Sequence, residues 1–224
     1  MNEKVRSHRT GVPLWLWLPC ALAALAAGGY YGVWQPLAHH YLPRNWGVVE
    51  EGWIYRSGEL PSGLVRDMLA EHKIKVVIAL YSQDARDDEQ QAMKQAVDEL
   101  GIELKRFPLR GDGTPGDADP VQGIAKYADA VAALAQARRE GKPALVQCSA
   151  GTHRTGGVIA TYRVLVERKP ISKAYEELCD YGWDPAKHQH LLKFLNPAMD
   201  DVAARLVLRG AIAKIPDPVP VLGP

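Results

Sequence analysis

The stretch that decides the fold is ALVQCSAGTHRTGGVIA, residues 144–160. Residues 144–147 are mostly apolar, as in a short buried strand, and residues 155–167 have the composition of an apolar helix. Between them lies a loop, residues 148–154, made of small and polar residues. A loop that follows a strand and precedes a helix lies at the edge where open α/β sheets bind ligands. The stretch therefore predicts an α/β fold with a ligand site at this loop.

The residues of this loop suit the binding of a phosphate ester. The candidate phosphate-binding residues are Ser149, Ala150, Gly151, Thr152, His153 and Arg154. Backbone N–H groups that point into such a loop form a nest for an anion, and Gly151 permits the tight curvature. The N-terminus of the following helix adds positive potential. The planar guanidinium of Arg154 can hold two phosphate oxygens at once.

Cys148 lies at the position of a nucleophile in this loop. A helix N-terminus and a nearby arginine favour the thiolate over the thiol. The thiolate can attack phosphorus and form a phosphocysteine, which water then hydrolyses. Thr155 can donate a hydrogen bond to the thiolate as it leaves in the second step. The candidate catalytic residues of the loop are therefore Cys148, Arg154 and Thr155.

The leaving group needs a proton, and residues 110–120 form a loop that can supply it. The loop contains Asp112, Asp117 and Asp119. An acid on a mobile loop is what general acid catalysis requires. Asp112 is the first candidate because it follows directly after the strand expected at 102–109. The alternative, in which all three aspartates are ordinary turn residues, stays open.

Strands and helices alternate along the rest of the chain. The apolar patterns predict strands at 48–49, 53–55, 75–81, 102–109 and 144–147. They predict helices at 62–72, 86–100, 120–140, 155–167, 172–181, 185–195 and 197–209. Such alternation is typical of an α/β domain, so we expect a central, mainly parallel sheet flanked by helices.

A long uncharged run, residues 12–34, lies near the N-terminus. It is long enough to span a bilayer, and aromatic residues lie near both of its ends, as they do at membrane interfaces. We expect an uncleaved transmembrane helix; a cleaved signal peptide and a buried core helix are the alternatives. The basic residues before the run predict a cytoplasmic N-terminus, and hence a periplasmic or otherwise extracytoplasmic catalytic domain.

Composition limits the classes of protein that the chain can belong to. With 224 residues and a net charge of +1, it has the size of one domain with appendages and lacks the basic excess of a nucleic-acid-binding protein. Three cysteines are too few for a disulfide scaffold. The predicted organisation is a basic segment (1–11), an anchor or signal segment (12–34), a linker (35–47), the catalytic domain (48–210) and a proline-rich tail (211–224), whose residues 216–224 are expected to be disordered.

At the loop the sequence resembles the cysteine-dependent protein tyrosine phosphatases, especially the atypical dual-specificity branch. The family pattern is His-Cys, five residues, Arg and Ser/Thr, which corresponds here to residues 147–155. Residues 53–61, WIYRSGELP, resemble the Tyr-Arg-Ser-x-x-x-Pro segment of small atypical members, and residues 107–115 resemble the acid loop of some members. The resemblance covers residues 48–180. It implies a phosphatase-like α/β fold and a reaction without metal or cofactor.

One residue departs from the family pattern, and two other features need an interpretation. Gln147 replaces the histidine that usually precedes the nucleophile, so Cys148 is expected to be less strongly activated. Arg56 is expected to have a structural role at the active-site end of the sheet. His188 and His190 suggest a metal site, but alternate residues do not share a helix face, so a surface role is favoured.

These observations predict a membrane-anchored phosphatase that hydrolyses phosphate monoesters, with phosphotyrosine in a protein as the expected substrate. A phosphoinositide or phospholipid headgroup is an alternative substrate, because an anchor would bring the enzyme close to lipids. A phosphate-binding module with weak catalysis is an alternative from another functional class. The expected partners are therefore a phosphorylated substrate and a membrane, without nucleic acid.

Overall fold

The computed structural model describes residues 18–30, 42–110 and 120–224, and the chain divides into two units, Met1–His40 and Tyr41–Pro224. The first unit contains helix α1, Leu18–Gly29. Across the described ranges, no helix is long and apolar enough to cross a membrane. The described residues therefore do not support the transmembrane helix expected over 12–34, whose ends at 12–17 and 31–34 lie outside them.

The second unit is built on a sheet of five strands. The strands are β1 (Gly47–Glu50), β2 (Ile54–Ser57), β3 (Val76–Ala79), β4 (Glu103–Arg106) and β5 (Ala144–Gln147). They are ordered β1-β2-β5-β3-β4; β1 is antiparallel to β2, and all other pairs are parallel. Every residue of the three inner strands is buried. Burial on both faces explains the continuous apolar sequence of β3, VVIA, whereas β2 also buries Arg56 and Ser57 at the end next to the loop. The predicted mainly parallel sheet is confirmed.

Helices cover both faces of this sheet. They are α2 (Val65–Glu71), α3 (Asp88–Leu100), α4 (Pro120–Arg139), α5 (His153–Thr161), α6 (Ile171–Asp180) and α7 (His190–Leu208). A π-helical turn, Tyr162–Val166, continues α5. Alternate strand residues serve the two faces: Val77 and Leu145 pack with α2 and α3, whereas Ile78 and Val146 pack with the remaining helices. The sheet therefore has a hydrophobic core on each side.

Two sequence-based expectations near the C-terminus are wrong. The first is the pair of helices at 185–195 and 197–209, because one helix, α7, continues through Pro197. Proline removes one helical hydrogen bond. Side chains on both sides of it, such as Leu195 and Val202, are buried in the core, and this burial offsets the loss.

The second is the disorder expected over residues 216–224. Leu222 is only 2% exposed and belongs to the larger core. The Asn196 side chain donates to the Leu222 carbonyl at 2.8 Å and accepts the Leu222 N–H at 2.9 Å. Burial of an apolar side chain together with two hydrogen bonds offsets the entropy that the tail loses.

Candidate active site

The loop 148–154 connects β5 to α5 at the carboxyl ends of the parallel strands. Its tight turn depends on Gly151, which has a φ of +74°. A Cβ atom at this position would lie 2.5 Å from the Gly58 nitrogen and 2.7 Å from the Ser57 carbonyl carbon. The loop therefore needs glycine at residue 151 for its backbone conformation and for its close contact with the end of β2.

Cys148 is buried at the start of this loop, with 1% of its surface exposed. Its sulfur accepts a hydrogen bond from the Gly151 N–H at 3.1 Å. The helix α5 begins at His153, so the positive end of its dipole is directed toward the loop. A backbone donor and the positive end of a helix dipole are therefore both directed at the Cys148 sulfur.

Arg154, in the first turn of α5, is held on two sides. One terminal nitrogen (Nη1) donates to the Leu80 carbonyl at 3.2 Å, and the other (Nη2) donates to the Ser149 hydroxyl at 3.1 Å. Its Nε is buried and has no hydrogen-bond partner within the described ranges 18–30, 42–110 and 120–224. Buried donors are normally satisfied, so an anion in the loop is a fitting partner for this nitrogen.

Thr155 is fully buried next to Arg154. Its hydroxyl donates to the Ser57 carbonyl at a distance of 3.5 Å, which is long for a hydrogen bond between oxygens. This contact ties α5 to the end of β2. The expected hydrogen bond from Thr155 to the Cys148 thiolate stays a prediction.

Arg56 of β2 contacts the loop through Gly151 and is completely buried. One of its terminal nitrogens donates to the Gly151 carbonyl at 2.9 Å, and its guanidinium carbon lies 3.7 Å from the centre of the Tyr181 ring. Burial lowers the pKa of Arg56 to about 10, and the charge of Glu177 opposes this shift. Arg56 is therefore still protonated at neutral pH and places a positive charge beneath the loop, in agreement with its expected structural role.

Asn45 holds the loop from the outer side, although its sequence context indicates only a linker. Its side-chain nitrogen donates to the Ala150 carbonyl at 2.8 Å and to the Thr152 hydroxyl at 3.0 Å. The adjacent Arg44 carbonyl accepts the Gly58 N–H at 2.6 Å. Asn45 has a φ of 48°, a conformation that asparagine adopts more readily than most residues. No motif around Asn45 indicates this role, because the contact spans about 100 residues of sequence.

The comparisons with known proteins agree with this geometry. The family model described as "DSP-PTPase phosphatase fused to NAD+ Kinase" matches residues 45–192, which include the whole loop and Asn45. The chain belongs to this family of dual-specificity-type cysteine phosphatases. The expected family resemblance is thereby confirmed.

Two curated relatives of this chain share one description. The "Putative tyrosine-protein phosphatase OCA1" of Kluyveromyces lactis is 33% identical over 124 residues, which cover 55% of this chain and 56% of the relative. The protein with the same description from Eremothecium gossypii is 30% identical over 142 residues, covering 62% and 60%, respectively. The chain thus spans less than two thirds of the length of these relatives.

Solved structures share the fold of this chain. Pseudomonas aeruginosa TpbA superposes with a TM-score of 0.56 at 23% identity, covering 73% of this chain and 91% of TpbA. The core catalytic domain of the PP-IP phosphatase SIW14 from Saccharomyces cerevisiae has a TM-score of 0.57 at 16% identity, covering 76% and 95%. At these identities the similarity supports the α/β phosphatase fold alone.

Gln147, which replaces the usual histidine of the phosphatase pattern, is buried at the end of β5. Its side-chain nitrogen donates to the Tyr81 hydroxyl at 2.7 Å. Burial raises the pKa of Tyr81, so this hydroxyl stays neutral and can accept the hydrogen bond at neutral pH. Gln147 therefore contributes a structural hydrogen bond beside Cys148 but no charge.

The remaining candidate residues of the chain are three aspartates and two histidines. Asp112, Asp117 and Asp119 lie outside the described residues, so the general acid stays a prediction. His153 is in contact with His188, with ring centres 4.3 Å apart. His188 precedes α7 and accepts the Asp184 N–H through Nδ1 at 3.0 Å. The interpretation of His188 as a surface histidine is therefore incomplete, because it packs beside the catalytic loop.

Proposed function

We propose that this chain hydrolyses phosphate monoesters through a phosphocysteine intermediate, with phosphotyrosine in a protein as the substrate. The observation that carries the proposal is the loop 148–154, in which the Cys148 sulfur, the Gly151 N–H and the Arg154 guanidinium lie together. A sulfur nucleophile beside an anion-binding nest and a bidentate cation is the combination that phosphoryl transfer to cysteine requires.

The first step is the attack of the Cys148 thiolate on phosphorus. The S–P bond forms, the bond from phosphorus to the leaving oxygen breaks, and the leaving oxygen takes a proton from a general acid, for which Asp112 is our candidate. Arg154 stabilises the charge on the phosphoryl oxygens as the bonds change. The positive charge of Arg56, which is bonded to the Gly151 carbonyl of the loop, also stabilises this negative charge.

The second step is hydrolysis of the phosphocysteine. Water attacks phosphorus and gives a proton to the carboxylate left on the general acid in the first step, the S–P bond breaks, and inorganic phosphate leaves while the thiolate of Cys148 is restored. We expect the N-terminus of α5 and the Gly151 N–H to stabilise this thiolate as the leaving group. No other co-reactant is needed for the balance of atoms and electrons.

The charge of the loop favours a substrate with one phosphate group. Among residues 148–154, Arg154 and His153 are the basic residues, and the side chains of Ser149, Ala150 and Thr152 are uncharged. A ligand with several phosphate groups would meet only these two basic side chains in the loop, so most of its negative charge would stay unpaired there. The curated relatives are described as putative tyrosine-protein phosphatases and a TpbA variant was solved in complex with pTyr, which supports the same choice, whereas SIW14 is described as a PP-IP phosphatase.

A phosphoinositide or phospholipid headgroup is the second candidate substrate. It is favoured by the uncharged run over residues 12–34, which we propose to be a membrane anchor with the catalytic unit on the extracytoplasmic side. A topology reporter fused to the C-terminus tests this orientation. Activity of a reporter that works only in the cytoplasm would contradict it.

The proposed function is tested by turnover of matched substrates. The full-length protein in detergent is given a phosphotyrosine peptide, phosphoinositide vesicles and soluble inositol phosphates. We expect the highest kcat/KM on the phosphotyrosine peptide, and we expect Cys148→Ser to lose turnover while it still binds that peptide. Preference for vesicles would favour the second candidate. Binding without turnover of any ester by the unmodified protein would favour a phosphate-binding module.

A further inference from the structure

A carboxylate that the proposed reaction does not use lies beside the catalytic loop. Glu59 follows β2, and its backbone N–H donates to the Ser149 carbonyl at 3.2 Å. The Ser149 hydroxyl in turn accepts from Arg154 at 3.1 Å. Ser149 therefore lies between Glu59 and the guanidinium proposed to bind the phosphate, with its backbone carbonyl bonded to Glu59 and its hydroxyl to Arg154.

The position of this carboxylate is fixed by Gln90, in the first turn of α3. The Gln90 side-chain nitrogen donates to Glu59 at 3.2 Å and to Asp87 at 3.3 Å, so one amide bridges two carboxylates. Gln90 is itself buried, and its own backbone N–H donates to Asp87 at 3.0 Å. Glu59 and Asp87 thus form a pair of carboxylates held together by Gln90, and the Glu59 side chain is not a freely moving surface group.

The charged and titratable groups around Glu59 come from several elements. Asp87 lies at the N-terminus of α3, Arg154 in the first turn of α5, and Tyr81 after β3. Burial raises the pKa of Glu59, and the charge of Asp87 raises it further, while hydrogen bonds from Gln90 and Ser149 and the charge of Arg154 oppose the shift. The negative charge of Glu59 therefore disappears at a higher pH than that of an ordinary glutamate.

We propose that Glu59 is a specificity-determining residue that restricts the catalytic loop to substrates carrying a single, isolated phosphate group. This inference rests on the proposed phosphatase function. A second phosphate next to the one bound by Arg154 would be repelled by the Glu59 carboxylate. Like charges several ångströms apart at a partly buried site change an affinity by on the order of tenfold.

The inference is tested with two peptides of the same sequence, one with a single phosphotyrosine and one with a second phosphorylated residue next to it. In Glu59→Gln, kcat/KM on the doubly phosphorylated peptide should rise about tenfold relative to the singly phosphorylated one. Asp88→Asn is the matched control, because Asp88 lies in the first turn of α3 and is exposed. It removes the same charge nearby and should leave the ratio unchanged.

The pH dependence separates a charge effect from a structural one. Below the raised pKa of Glu59 the carboxyl is neutral and the discrimination should be weak, and it should increase as the pH rises through that pKa. Glu59→Gln should lack this increase, although both proteins share the titration of the substrate phosphates. A ratio that is unchanged in Glu59→Gln, or changed equally in Asp88→Asn, would overturn the inference.

The peptide Kd values separate this inference from the proposed function. They are measured with Cys148→Ser and with Cys148→Ser/Glu59→Gln, which require no turnover. If the unmodified protein hydrolyses neither peptide, the proposed function fails, and the ratio of the Kd values still decides the role of Glu59. Circular dichroism of each variant checks that the fold is retained.

Discussion

Replacement of Gly151 by alanine perturbs the catalytic loop at one defined point. The residue has a φ of +74°, and an added Cβ would lie 2.5 Å from the Gly58 nitrogen. Gly101 offers a matched control, since its φ is +64° and an added Cβ would meet nothing within 4 Å. The two substitutions share the backbone strain, and only Gly151→Ala adds the steric conflict.

The expected magnitudes follow from these distances. An alanine in the left-handed region costs about 1–2 kcal/mol, which lowers the Tm of a chain of this size by about 2–8 °C. At Gly151 the neighbouring atom is backbone, and an ordinary contact begins at 3.4 Å, so the loop must shift by close to 1 Å. A displacement of this size in a catalytic group can lower the rate by about 10²-fold.

Steady-state kinetics and thermal unfolding of the two variants test this reasoning. Gly101→Ala should lose stability and keep its kcat/KM on a phosphotyrosine peptide. Gly151→Ala should lose stability and about 10²-fold in kcat/KM. Normal activity of Gly151→Ala would refute the reasoning, because the loop would then tolerate a backbone displacement that should separate Cys148 from the phosphate.

Three further substitutions probe the supports of the loop and of the fold. Asn45→Ala removes two hydrogen bonds to the loop and should raise the KM for a phosphotyrosine peptide by roughly three- to tenfold in steady-state assays; an unchanged KM would contradict its positioning role. Arg154→Lys should lower kcat/KM by about 10²-fold or more even though the charge is kept, because lysine cannot bind two oxygens with a planar fork; full activity would argue against bidentate binding. Asn196→Ala should lower the Tm by a few degrees without changing kcat/KM, because the contact with Leu222 is lost, and a Tm equal to that of the unmodified protein would mean that the tail adds no stability.

Local patterns were sufficient to predict the fold. The strand at 144–147 has the predicted bounds, because four buried residues between a glycine-proline turn and a small-residue loop leave little freedom. The hairpin of β1 and β2 turns at Gly52, which has a φ of 76°, as its sequence suggests. Such elements depend on residues near one another in the chain.

The supports of the site could not be predicted in the same way. The contacts of Asn45 with Ala150 and of Glu59 with Ser149 join residues about 90 to 105 positions apart, and neither residue type is unusual in a loop. The continuation of α7 through Pro197 depends on the core into which its neighbours pack. Tertiary packing determines these features, and the propensities of the local residues do not indicate them.

The most direct test of the account is a search for a phosphoryl group on Cys148. The full-length protein is mixed with a phosphotyrosine peptide, quenched in acid during turnover, digested and analysed by mass spectrometry. We expect the peptide that contains Cys148 to gain the mass of one phosphoryl group, and we expect Cys148→Ser to lose both this product and turnover. Turnover that persists in Cys148→Ser, or a phosphoryl group found on another residue instead, would contradict the account.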